Sequence, residues 1–523
     1  MKRRLRFLSL AFASLALLGS IASAQLTPQE TRGKQIYSQG TSASGKEILA
    51  YVGESSLEIP GNVMACSNCH LPSGQGKSEG GITASNITWE ALTKPYGVTH
   101  ANGRKHPAYT DRALELAITR GLDPGGTQLQ KTMPRFQMSK EDLDDLIVYI
   151  KRLGSDVDPG ISEQKIVIGT AMPNAGPLAE MGQAVRDVIA AVFAETNAQG
   201  GVYNRQLELK SVPVETKVTR ADMERLIKGE KVFALAGVLM AGVETDIVPF
   251  VAEQQVPLVG PLTLDPRTGS PLNRQIFYLL SGNAGQARAL INFVARKPES
   301  KELKLGIVNT PSDFNSSIVQ SIKDQAQKDG LSAAQTFEYA AGNFAPAETV
   351  TRLRQANISA VFFLGGAADL QLLLSEAGKV NWFPQIFLQS GNVSKELFEA
   401  PAGFEGKIFT TFPTVLTDLK EEALKEFRAL SEKYKLTQKH LAAQVSSYSA
   451  AKILIEALKR AGKDLSREKL IQALEGFYNY QTGLLPPLTY GPNRRIGAMG
   501  AYVVMVEIKE KRFAPASEWV GID

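Results

Sequence analysis

Cys66-Ser67-Asn68-Cys69-His70 contains both cysteines of the 523-residue chain and one of its four histidines. Two thiols separated by two residues and followed at once by an imidazole form the pattern on which a haem is attached covalently. The thiols add to the two vinyl groups of one macrocycle, and the imidazole takes the proximal position at the iron. A zinc site would need two further Cys or His ligands at knuckle-like spacing, and no other cysteine exists to supply a second pair. A redox dithiol belongs at a strand-to-helix junction, whereas Gly61 to Ala65 before the motif and Leu71 to Gly74 after it read as loop. The expectation is one haem c, with Cys66 and Cys69 as attachment points and His70 as axial ligand.

The N-terminus agrees with this chemistry, because such a haem is attached outside the cytoplasm. Met1 to Arg6 is basic, Phe7 to Ile21 is apolar, and Ala22-Ser23-Ala24 is a small-residue cleavage site. Residues 1–24 therefore read as a signal peptide, and the mature chain is expected to be soluble and periplasmic. No cysteine at the cleavage site offers a lipid attachment point, and no later stretch is long and apolar enough to span a membrane. Removing the signal peptide leaves 54 basic against 53 acidic residues. That balance gives no support for nucleic-acid binding.

A sixth ligand is expected from Thr132-Met133-Pro134-Arg135-Phe136-Gln137-Met138-Ser139. Ser139 with Asp142 resembles a capping box opening a helix through Leu143, Leu146, Ile147 and Ile150 to Leu153, which places Met138 just ahead of the cap, packing onto Leu143. Met133 lies in the loop before it, stiffened by Pro134. Met133 is the favoured axial ligand; Met138, His100, His106 or an open position are the alternatives. A Met/His pair suits electron transfer, since it raises the potential and leaves no coordination position for substrate.

Residues from about 29 to 153 resemble a class I cytochrome c domain. The matching features are Gly33-Lys34-Gln35-Ile36-Tyr37 on a first helix, the haem motif, the Met-Pro-x-Phe loop and Tyr149-Ile150-Lys151-Arg152-Leu153 closing a last helix. The resemblance implies an all-α domain over 25–153 whose first and last helices cross at Gly33 and Tyr149. Gly80-Gly81, Ser85-Asn86-Ile87-Thr88 and Ala113 to Gly121 are similar to cytochrome subunits that accept electrons from periplasmic dehydrogenases. Asn86-Ile87-Thr88 also matches a glycosylation sequon, but is read as a loop near the haem edge. The stretch Thr41 to Ala65 is longer than usual there and reads as a surface excursion.

Residues 154–164, rich in Gly, Pro, Ser and Asp, read as a linker. Beyond it strands alternate with helices. Lys165 to Gly169 precedes a helix from Gly182 to Asn197, and Gln206 to Leu209 is the next strand. Val232 to Ala236, Leu305 to Val308 and Ala360 to Leu364 each lead into a further helix. The pattern predicts parallel sheets covered by helices, and about 360 residues fit two α/β lobes better than one.

This half, 165–523, resembles the type I periplasmic solute-binding proteins of the leucine/isoleucine/valine and amide-binding branch. Gly176-Pro177-Leu178-Ala179, Glu195 to Val202, Val256-Pro257-Leu258-Val259-Gly260-Pro261 and Ile276 to Leu279 carry the likeness in this order. Ligands in that family sit between the lobes at strand C-termini. The resemblance implies a small-molecule cleft at Asn174 and Gly176, at Ala241, Gly242 and Glu244, at Leu262 and Thr263, and in the second lobe at Gly365, Gly366 and Gln389. Where amino-acid binders place small hydroxyl residues after the third strand, this chain has Met240-Ala241-Gly242-Val243-Glu244. That departure argues against a zwitterionic α-amino acid held in the usual manner. Glu244 reads as a solvated helix start, with a role toward a cationic or hydroxylated ligand as the alternative.

No Gly-x-Ser-x-Gly elbow, Walker loop, His-Glu-x-x-His or dinucleotide fingerprint is present. The expectation is a monohaem electron carrier joined to a binding domain, not an enzyme, with a periplasmic redox partner. Two other readings stand beside it: a transport or sensing component of ABC type with a redox-sensing haem domain, and a cytochrome subunit that docks a dehydrogenase.

Overall fold

A computed structural model describes residues 26–522, apart from 80, 101–102, 157, 270–271, 415–417 and 464. The signal-peptide reading of 1–24, and the readings at Gly80 and Val157, fall outside the described residues. The chain forms two compact units that divide after residue 157. Among the described residues no helix is long and apolar enough to cross a membrane.

The first unit is built on three helices. Pro28–Gln39 starts at a reciprocal capping box between Thr27 and Glu30 and stops at Gly40, whose φ of 64° suits a residue without Cβ. Asp111–Arg120 is capped by Thr110 and ends at Gly121 with φ 65°. Lys140–Ile150 is capped by Ser139, which accepts from the Asp142 amide. The box expected there is half formed, because the Asp142 carboxylate accepts from the hydroxyls of Ser139 and Ser42 and not from the cap backbone. One apolar face from each helix joins a single core that includes Ile36, Tyr37, Leu114, Ile118, Leu146, Tyr149 and Ile150.

The all-α expectation for this unit needs correction. A three-stranded antiparallel sheet runs in the order Leu57–Pro60, Leu49–Val52, Arg135–Gln137, and two short ribbons pair Ser78–Glu79 with Ile82–Thr83 and Val98–Thr99 with Lys105–His106. The physical reason lies in the Thr41 to Ala65 excursion. Gly53 (φ 77°) and Ser56 (φ 49°) turn it into a hairpin, and Leu49 to Tyr51 then find a free strand directly after the Met133-Pro134 loop.

The second unit has two sheets. The first is wholly parallel, in the order Ile496–Ala498, Ile276–Leu280, Leu258–Val259, Ala234–Ala236, Lys165–Thr170, Gln206–Ser211. The second has parallel strands Gln335–Glu338, Leu305–Asn309, Ala360–Leu364, Gln385–Leu388 and Ile408–Phe412, followed by the antiparallel Gly500–Glu507 and Arg512–Gly521. The parallel-sheet expectation thus fails for the last two strands, which are joined by a tight turn at Lys511 and need no crossover helix. The chain crosses between lobes after Leu280, after Phe412 and at Met499-Gly500. Two of these crossings are tied where the Ser281 hydroxyl donates to the Gly500 carbonyl at 3.0 Å.

Most of the expected linker is bound into one unit or the other. Asp156 accepts from Lys34 and Tyr149 within the first unit. In the second, Asp158 accepts from the Arg467 amide at 2.6 Å and the Val167 amide donates to Gly160 at 2.8 Å, so 158–164 is the edge of that unit and not a free connector.

Candidate haem site and ligand cleft

Cys66–His70 is a single helical turn entered from Ala65. Its spacing puts Cys66 beside Cys69 and His70, at i+3 and i+4, on one side of that turn. Both thiols are free, Cys66 half-buried and Cys69 exposed. Burial pushes the Cys66 thiol up to about 12, which keeps it neutral and disfavours a thiolate metal site. The Ser67 hydroxyl donates to Ser38 and the Asn68 amide group to Val63, which pins the turn to the first helix and to its own approach loop.

His70 is 8% exposed, and its Nδ1 lies 2.9 Å from the Ser85 carbonyl. A carbonyl only accepts, so Nδ1 carries the proton and Nε2 keeps its lone pair. Burial lowers the His70 pKa, which favours this neutral form. The loop that presents Ser85 is closely packed. The Gly76 amide donates to His70 and the Ile87 amide to Gly74, and a Cβ at Gly76 would stand 2.1 Å from the Ala84 carbonyl. Leu71 turns through φ 63° and its carbonyl accepts from the Tyr37 hydroxyl at 2.6 Å. Asn86 folds onto Thr88, accepting from its amide and hydroxyl.

Two free thiols on one turn, with a buried neutral imidazole whose Nε2 has no partner among the described residues, fit covalent haem. Met133 is half-buried, and its amide donates to Gln130. Met138 packs against the core of the unit. His100 and His106 direct Nε2 at each other at 3.0 Å; Arg104 lies 2.8 Å from His100 Nε2, and His106 Nδ1 lies 2.8 Å from Pro107 O. The Ser85 carbonyl and Tyr37 were not anticipated from sequence. A backbone acceptor leaves no residue-type signal, and Tyr37 reads as an ordinary core aromatic.

In the second unit Asn174 and Gly176 are exposed on the loop after Lys165–Thr170, and Ala241 and Gly242 are exposed ahead of the helix Glu244–Glu253. Glu244 itself is 6% exposed, so the solvated helix start expected for it does not hold. Its carboxylate accepts from the Thr263 hydroxyl, which in turn accepts from the Asp265 amide at 2.9 Å. Asp265 pairs with Arg267 at 2.6 Å, and its pKa is raised by burial and by the field of Glu244. Leu262 is partly buried against the core. In the second lobe Gly365 seats the Tyr339 hydroxyl, where a Cβ would stand 2.0 Å away; Gly366 caps the helix Ala367–Lys379; and Gln389 accepts from Asn283 at 3.2 Å. Asn283 Oδ1 and Gln389 Nε2 remain buried without a partner.

A haem-attachment unit followed by two α/β lobes with three crossings defines a c-type cytochrome joined to a two-lobed binding protein. The chain belongs to the periplasmic binding protein family, whose model matches residues 165–512, and residues 58–154 match the cytochrome c family. A Leu/Ile/Val-binding protein homologue of Brucella melitensis is 21% identical over 334 residues, covering 62% of this chain and 87% of that protein. A branched-chain amino acid ABC transporter structure from Thermus thermophilus with bound valine aligns at TM-score 0.52 and 18% identity, covering 69% of this chain and 98% of that one. A fatty acid ABC transporter substrate-binding protein from Thermomonospora curvata aligns equally well, at TM-score 0.52 and 18% identity over 70% of this chain and 95% of its own. These structures establish the fold of the second unit.

Proposed function

We propose that the protein is a periplasmic monohaem electron carrier whose second unit binds a small organic solute. The observation that carries the first half is the His70–Ser85 contact, which leaves one imidazole lone pair bare beside two free thiols. Cys66 and Cys69 would hold the haem covalently, His70 and Met133 would ligate its iron, and the bound group would supply one-electron redox chemistry. With side chains of this chain as both iron ligands no position would be left for a substrate, so the site would exchange electrons with a protein partner. Purified exported protein should contain one covalent haem per chain and titrate reversibly with one electron. A chain without covalent haem, or one whose oxidised form binds small ligands as readily as an open site, would overturn this reading.

For the second unit the buried Glu244 supports a ligand that brings a cation or a hydroxyl donor. Among the described residues Glu244 forms no ion pair, and a single hydroxyl is a small return for burying a carboxylate. Thermal-shift measurements on the full chain with amines, amides, polyols and α-amino acids test this. A ligand that binds only the native state raises the melting temperature by mass action. Stabilisation by a branched-chain amino acid alone would remove the cationic reading.

A further inference from the structure

The loop carrying Met133 has a holder that its neighbours in sequence do not announce. The Arg135 guanidinium turns back along the loop and donates to the carbonyls of Leu129 at 2.7 Å, Gln130 at 3.2 Å and Met133. It lies over Gly121, where a Cβ would stand 2.0 Å from its central carbon, so the helix-ending glycine doubles as the seat of the side chain. Among the described residues Arg135 has no ion-pair partner, so no carboxylate competes with the three carbonyls for it. Carbonyls accept only, and a planar guanidinium offers five donors in fixed directions, which a lysine cannot match.

The backbone of Arg135 is fixed in its turn by the excursion ahead of the haem motif. Tyr51 stands opposite Arg135 in the antiparallel register, and the Gly53 amide donates to the Lys131 carbonyl at 3.0 Å. Glu54 pairs with Lys131 at the same rim. Four carbonyls of the segment 129–133 are thus held by one side chain and one hairpin.

We propose that Arg135 is the positioning residue for the methionine loop, with the 49–60 hairpin as its outer brace, so that the excursion serves to keep Met133 in place. The proposal rests on Met133 being the axial ligand. The experiment uses the full haem-loaded chain and two readings that a merely structural role would leave alone: the methionine–iron charge-transfer band of the oxidised spectrum, and the apparent affinity of the oxidised protein for imidazole, which competes with a loosened methionine. R135Q should weaken the band and raise the imidazole affinity by on the order of tenfold, with R135K in between. Wild-type band and wild-type imidazole affinity in R135Q would overturn the proposal. If R135Q does not accumulate with haem, R135K decides by the same readings, and wild-type values there overturn it. M133A separates the two ideas: a band retained in M133A removes the ligand reading, whereas a band lost in M133A but untouched in R135Q removes the brace alone.

Discussion

Gly33 and Tyr149 meet where the first and last helices of the cytochrome c unit cross: a Cβ on Gly33 would stand 2.7 Å from the Tyr149 Cβ and 2.0 Å from the Asp145 carbonyl oxygen. The carbonyl belongs to helical backbone and cannot step aside without opening the last helix. Gly33→Ala should therefore cost about 2 kcal/mol or more, in the range of overpacking changes. Denaturant unfolding of the haem-loaded protein measures it, and an unchanged midpoint would mean that the helices separate at little cost.

Met133 and Met138 make opposite predictions. Met133→Ala should abolish the methionine–iron band and lower the reduction potential while leaving the core intact. Met138→Ala removes a partly buried side chain from the core and should cost about 1–2 kcal/mol with the band unchanged. A spectrum and an unfolding curve for each variant check the pair.

Asp123 gives the first unit an acid-sensitive point. Arg104 at 2.7 Å and the amides of Gly125 and Thr127 at 2.9 Å outweigh the burial that opposes ionisation, so its pKa falls below the ordinary 3.8. A carboxylate lowered in the folded state contributes stability that is complete above the unfolded value and is lost as the pH drops through the folded one. Wild-type stability should fall below about pH 4 more steeply than that of Asp123→Asn, which is already less stable at neutral pH. Thermal melts across that interval test the difference in slope.

Thr263→Val leaves the buried Glu244 carboxylate without its hydroxyl donor. Hydrogen bonds to buried charged groups contribute about 1.5–3 kcal/mol, so the second unit should melt earlier while the haem spectrum stays the same. Glu244→Gln in the same background should recover part of the loss, because the neutral amide costs less to bury. No recovery would mean that another group already satisfies the carboxylate.

Much of the fold was legible because its signals are local. Ser139 capping the last helix and the alternation of Lys165–Thr170 and Ala360–Leu364 with helices follow from short patterns that act within a turn or two, whereas the Gly33 crossing was expected only through the cytochrome c resemblance. The hairpin at 49–60 was not legible, since its third strand lies some 75 residues further on, beyond the haem motif. Glu244 shows a different limit. At a helix start a carboxylate is favourable in water, and only the tertiary placement of Thr263 reveals that it is buried. The backbone carbonyl at Ser85 and the three carbonyls under Arg135 are acceptors that any residue type provides, so no spacing rule could mark them.

The confinement of both cysteines to Cys66–His70 has a practical consequence for observing the second unit. Once thioether bonds occupy those two sulfurs, the natural chain offers no free thiol to a maleimide, and cysteines introduced elsewhere become the reactive handles. Tyr478, 86% exposed, and Leu372, 49% exposed on the helix Ala367–Lys379, lie in different lobes and suit a fluorophore pair. Energy transfer between such labels would follow lobe closure as solutes are added, in the same cuvette in which the haem spectrum is recorded.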